Sequence, residues 1–174
     1  GGNITGFTTF EYSVASKWLE LLKEVNPQIT SVLVLLNPSN YTSRGLLRSI
    51  QAAAPSAGVQ LAAARVSIAN EIAPAITDFA RRPNGAIIIT PDALTAVNLS
   101  QIVALSNQHR LPSIFSLRMF PASGGLLSYG TDLADIYRGV ATYADRILKG
   151  ERPGDLPIQN PTRYKIVINL RAAK

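Results

Sequence analysis

Short, β-branched apolar runs alternate along this chain with longer segments whose apolar residues recur every three or four positions. Such alternation predicts βα units built around a parallel sheet. The first helix is expected over residues 12–25, with Trp18, Leu19, Leu22 and Val25 on one face and Lys17, Glu20 and Lys23 elsewhere. Asn26-Pro27 ends it, because the residue before a proline is pushed out of the helical region. Residues 31–36 (SVLVLL) are apolar after the first position, as a strand buried on both faces should be, and Asn37-Pro38-Ser39 breaks the run.

Helical spacing returns over residues 43–54, with Gly58 as the stop, and residues 59–66 read as the next strand. A helix from Asn70-Glu71 to Ala80 follows, with Pro74 in its first turn, where a missing N–H costs little. After the Asn84-Gly85 turn, residues 86–90 form a second buried strand, residues 94–108 one helix and residues 113–115 a short strand. Residues 119–125, with Pro121 and Gly124-Gly125, predict a turn or a crossing between structural units. A strand over 126–129, a helix over 133–149 capped by Asp132 and stopped by Gly150, an extended connection rich in proline, a strand over 164–168 and a helix starting at Asn169 complete the series. The fold class expected is α/β: a three-layer αβα lobe with a mainly parallel sheet, forming a single α/β unit over residues 1–174.

Composition narrows the function. The 174 residues are 47% hydrophobic and 16% charged, enough to bury a core and too apolar for disorder. No apolar run reaches the roughly 18 residues of a bilayer span. The chain opens Gly1-Gly2-Asn3 and its one methionine is Met119, so a preceding segment holding any signal or anchor is expected. The net charge of +6 comes from scattered Lys and Arg, with Arg81-Arg82 the one adjacent basic pair. A nucleic-acid partner would call for a clustered basic stripe, so none is expected.

Catalytic and cofactor signatures are absent from the sequence. With no cysteine, thiolate chemistry and disulfides are excluded. No phosphate-cradling glycine motif follows a predicted strand, and no cofactor is expected. His109 is the one histidine, at a helix end beside Arg110, where the helix dipole favours it as a solvated residue. No nucleophile elbow accompanies it, and the carboxylates lack metal-ligand spacing, so neither an enzyme nor a metal site is expected. The sequons at Asn3, Asn40 and Asn98 are read as chance.

What remains is a ring of polar residues just beyond the carboxyl ends of the predicted strands, where open α/β sheets bind ligands. Asn37 and Ser39 follow the first strand, Ser67 the second, Thr90 and Asp92 the third, and Ser116 and Arg118 the fourth; Tyr129, Thr131 and Asp132 follow the fifth. Hydroxyls, an amide, carboxylates and a guanidinium suit a small polar or zwitterionic solute. Asn37, Asp92 and Asp132 are equally ordinary cap or turn residues, and Tyr129 could pack in the core.

The words GGNITGFTTFE, KWLELLKE, VLVLLNP, IITPDA, LPSIFSLRMF, GGLLSYGTDLADIYR and YADRILKGERPGDLPIQNPTRYKIVINLRAAK stand in one order. Together they resemble the ABC transporter substrate-binding family that includes tryptophan- and tyrosine-binding lipoproteins. The resemblance implies a fold similar to the type I periplasmic binding proteins, in which two α/β lobes are joined by three crossings and hold a solute between them. It makes this chain similar to a carboxyl-terminal half: residues 9–116 and 162–174 the second lobe, residues 122–160 a segment that completes the missing first. By position it implies Thr8, Asn37, Asp92 and Asp132 as ligand-facing residues, with Tyr129 and Arg118 near the hinge. It further implies a small-molecule solute, such as an amino acid or aromatic metabolite, a membrane permease as partner, and a periplasmic or membrane-anchored extracytoplasmic location. A half-cleft could also self-associate as a dimer. Two readings of other classes stand beside this one: an effector-binding sensor or regulatory domain of the same fold, and a small α/β enzyme using Asp92 or Asp132 as general base.

Overall fold

The strand over residues 31–36 is where the core starts. All six positions of β1 (Ser31–Leu36) are buried, and so are four of the five in β3 (Gly85–Ile89). These side chains alternate between two faces, so both faces must be covered by helices. A computed structural model describing residues 2–173 shows how this is met. Its helices are α1 (Val14–Val25), α2 (Tyr41–Ala57), α3 (Ile72–Phe79), α4 (Ala93–Val97), α5 (Leu99–Gln108), α6 (Met119–Ala122) and α7 (Leu133–Leu148). The remaining strands are β2 (Gln60–Arg65), β4 (Ser113–Phe115), β5 (Leu127–Thr131) and β6 (Tyr164–Ile168). The sheet order is β2-β1-β3-β4-β5-β6, and the pairings from β2 through β5 are parallel.

The chain forms two compact units. The larger spans residues 12–129 and 166–174; the smaller comprises residues 1–11 and 130–165. In the larger unit, Leu33, Leu35, Ile87, Ile89 and Phe115 face the helices α3 and α5, whose Ile72, Ile76, Phe79, Ile102 and Val103 close that side. The opposite face meets α1 and α2, where Trp18, Leu22, Leu46 and Ile50 are fully buried. This is the three-layer αβα arrangement with a mainly parallel sheet. In the smaller unit, α7 buries Ile136 and Tyr143, the Tyr143 ring lies 4.8 Å from that of Phe7, and Gly139 admits Phe7 because a Cβ there would stand 2.6 Å from its ring.

Several elements depart from the sequence expectation for local reasons. The single helix expected over residues 94–108 is two, α4 and α5, because the Asn98 side-chain amide donates to Leu94 O (2.8 Å) and competes with the backbone ladder. The start of the helix after β2 is a 3-10 turn over Ala69–Glu71, with α3 beginning at Ile72. The segment at residues 119–125 holds the single turn of α6 before its glycines, and the helix expected from Asn169 is a turn through Ala173, the last described residue. β5 pairs with β4 and so continues the parallel sheet.

Gly124 and Gly125 are glycine for different reasons. Gly124 has φ +99°, outside the range ordinary side chains adopt, whereas Gly125 lies against the buried Phe120 ring, where a Cβ would stand 2.5 Å from two ring carbons. Because Phe120 has no exposed surface to retreat into, Gly125→Ala is expected to destabilise by about 1–3 kcal/mol, the usual cost of overpacking, measured as a fall in the urea midpoint at unchanged slope.

Candidate functional site

The chain leaves β1 toward a helix on one face and leaves β3 toward a helix on the other, so the loops after these adjacent strands diverge. A crevice at such a topological switch point is where open α/β sheets take ligands. The residues there are Asn37 and Asn40 after β1, and Thr90, Pro91 and Asp92 after β3.

Asp92 is the centre of this cluster. Its Oδ1 accepts from Asn37 Nδ2 (3.1 Å) and its Oδ2 from Asn40 Nδ2 (2.7 Å), while the Leu94 backbone N–H also donates to Oδ1 (2.9 Å) and so caps α4. Asn40 caps α2 by accepting from Ser43 N (3.1 Å), and Asn37 Oδ1 accepts from Ser39 N (2.9 Å). Below them the buried Thr90 hydroxyl lies 3.1 Å from Leu35 O and 3.0 Å from Ser43 Oγ. The two loops are thus stitched together by one carboxylate and two amides. Burial works to raise the Asp92 pKa, but hydrogen bonds from Asn40, Asn37 and the Leu94 and Ala93 backbone outweigh it and hold the group below its ordinary value, as an anion at neutral pH.

Of the residues expected at the site, Asn37 and Asp92 are in direct contact. Arg118, at the start of α6, is exposed. Tyr129 is half-buried at the end of the larger unit, and its carbonyl accepts from Trp18 Nε1 at 2.7 Å. Ser67 is exposed with its N–H on Glu71 Oε2 (2.7 Å), and Ser116 is buried with no hydrogen-bond partner for its hydroxyl among the described residues.

Thr8 and Asp132 belong to the smaller unit. Thr8 donates to Asn160 Oδ1 (2.9 Å). Asp132 caps α7 through Ala134 N (3.2 Å) and pairs with Lys165 Nζ at 2.6 Å, and the Lys165 hydrogen bond is the main reason its pKa lies below the ordinary range. Within this unit Asp132 lines a pocket of about 230 Å³ together with Phe7, Tyr143, Gln159 and Arg163. Both acids therefore carry the cap role their sequence positions also allowed.

Sequence reasoning missed Asn40 and Ser43. With the helix expected from residue 43, Asn40 appeared only as a sequon; the signal that could have found it is an Asn preceding Tyr41-Thr42-Ser43 at cap spacing. Among the described residues no group of three or more His, Asp or Glu side chains is placed to hold a metal, and no helix is long and apolar enough to cross a membrane.

Comparison with known proteins adds the following. The family described as ABC transporter substrate binding protein matches residues 1–174. A tyrosine-binding protein of Clostridioides difficile is 25% identical over 169 residues, 97% of this chain and 48% of that protein. A conserved domain protein of Vibrio cholerae superimposes with TM-score 0.88 at 26% identity, covering 99% of this chain and 57% of that one. An ABC domain from Streptococcus pneumonia solved in complex with L-Trp gives 0.85 at 27%, covering 99% and 59%. The chain spans about half the length of the curated relative it matches.

Removing the Asp92 carboxylate strands two half-buried amides and uncaps α4. Asp92→Ala is expected to cost about 1–3 kcal/mol by chemical denaturation. A carboxyl whose native pKa is depressed stabilises the fold above its unfolded value of 3.8, and that contribution is lost as pH falls from there through the lower native value. The stability difference between wild type and Asp92→Ala should therefore be constant near neutrality and shrink below about pH 4.

Proposed function

Because the chain belongs to the ABC transporter substrate binding protein family, we propose that it captures a small polar or amino-acid-like solute, without chemistry, for delivery to a membrane permease. Members of the family act outside the cytoplasm, and the proposed location is periplasmic or membrane-anchored. The observation that carries this reading is the convergence of Asn37, Asn40 and Asp92 at the divergence of the β1 and β3 loops, a hydrogen-bonding wall at the edge of the sheet where such folds take ligands. An anionic Asp92 held by neutral amides favours a solute that carries an ammonium group.

Around this polar wall the same edge exposes apolar side chains: Tyr41 at the start of α2, Ile68 after β2 and Met119 after β4. They suit a solute with an aromatic or branched apolar portion, and the relatives associated with tyrosine and L-Trp support that choice. Arg44 stands over the Tyr41 ring at 5.7 Å and donates to Pro38 O, which steadies that ring at the rim.

In the proposed organisation, residues 9–116 and 162–174 are the second lobe of a binding protein and residues 122–160 complete its first lobe. Thr8, Arg118, Tyr129 and Asp132 are proposed as further ligand-facing or hinge residues. Hinge closure would bury the solute, and the permease would recognise the closed form. The fold by itself also serves effector-binding regulators; it is family membership that favours transport. Self-association as a dimer has no support from the fold or the relatives.

Thermal-shift screening of the full natural protein against amino acids and aromatic acids tests this reading. A ligand present at a hundredfold its Kd stabilises by about 2.7 kcal/mol, so at least one of these solutes should raise the midpoint, and Asn37→Ala should reduce that rise. A protein that no such solute shifts, but that turns one over, would end the transport reading.

A further inference from the structure

The amino-terminal edge of the larger unit's sheet, opposite the proposed solute wall, holds a second set of polar groups. β1 is buried throughout, and five of its six residues are Val or Leu; the sixth, Ser31, opens the strand. Its hydroxyl is shielded from solvent and has no hydrogen-bond partner among the described residues. Ser113 and Ser116 share that property; Ser31 in addition lines a groove open to solvent, together with Thr30, Gly58, Gln60, Arg82 and Pro83.

The strand register puts these groups side by side. Ser31 pairs with Gln60 on β2 and with Gly85 on β3. The backbone N–H groups of Thr30 and Ser31 are committed to Asn84 O (3.0 and 3.3 Å), and Gln60 N donates to Thr30 O (2.8 Å), so the donors these three residues have left are on their side chains. Arg82, just past α3, lies over the Phe79 ring at 5.6 Å and forms no ion pair among the described residues; the nearby Asp78 is taken by Arg81 at 3.6 Å. No carboxylate lines the groove.

One unpaired guanidinium, two hydroxyls and an amide, with no competing acid, make a donor-rich site of net positive charge. We propose that Arg82, Ser31, Thr30 and Gln60 bind a small oxyanion of the phosphate or sulfate type, at a site separate from the solute wall. Arg82 supplies the charge, Ser31 the buried donor at the floor, and Thr30 and Gln60 the rim. Burying an unpaired hydroxyl is unfavourable, and rotation of the Ser31 side chain so that Oγ meets an anion oxygen in the groove would relieve it. The site does not rest on the transport reading, since none of its residues lies on the carboxyl edge.

Titration of the 15N-labelled protein with inorganic phosphate, at ionic strength held constant with chloride, tests the proposal. Saturable shifts are expected at the Ser31, Gln60 and Arg82 amides, with sulfate competing for the same signals. Arg82→Gln should weaken the affinity about tenfold or more, and Ser31→Ala should weaken it too, with thermal midpoints confirming that both variants fold. Non-saturating shifts spread over many basic residues would overturn the proposal. So would an affinity unchanged in Arg82→Gln, or a Ser31→Ala variant that gains stability and binds phosphate as before, since Ser31 would then be only an ill-matched core residue.

Discussion

Burial of β1 and β3 on both faces is the constraint from which the rest of the larger unit follows. Two adjacent strands that show almost no side chain to water need helices above and below, and a parallel pair can be covered only by connections that cross over. Once α2 is committed to one face and α3 and α5 to the other, the loops after β1 and β3 have to part. The crevice that results is a product of topology; Asn37, Asn40 and Asp92 occupy it because the ends of parting helices need caps and the gap between them needs a polar seam.

Cap and candidate ligand group are the same atoms here, and the two roles are compatible. Asp92 accepts from Asn37, Asn40 and the Leu94 and Ala93 backbone, and its carboxylate keeps a negative charge to offer a cationic solute group. Fixing it this way removes its freedom before any solute arrives, which lowers the entropic cost of recognition. Its depressed pKa has the same origin: donors already in place favour the charged form.

The fold was legible in the sequence because its central strands are two-sided. SVLVLL and AIIIT read as continuous apolar runs, a signal produced by burial on both faces, and the helices between them carry clear apolar stripes. The break between α4 and α5 was not legible, since it depends on a single Asn98 amide choosing a backbone carbonyl over solvent. At the site, Asn37 and Asp92 could be found as residues following strands, but their mutual hydrogen bond comes from the pairing of β1 with β3, which no single segment encodes. Asn40 was hidden by a helix start placed two residues late. The groove at Arg82 was hidden for a different reason: Ser31 and Gln60 are 29 positions apart and meet only through register.

The bond from the Trp18 indole to the Tyr129 carbonyl has an optical consequence. Trp18 is the chain's single tryptophan, it has no exposed surface, and its partner is the last residue before the chain passes into the smaller unit. The molecule therefore has one dominant intrinsic fluorophore, tethered to the backbone at one of the three points where the two units are joined. Strain or rotation reaching β5 at that joint would act on the indole N–H directly, so emission wavelength can register movement at the crossing without any added label.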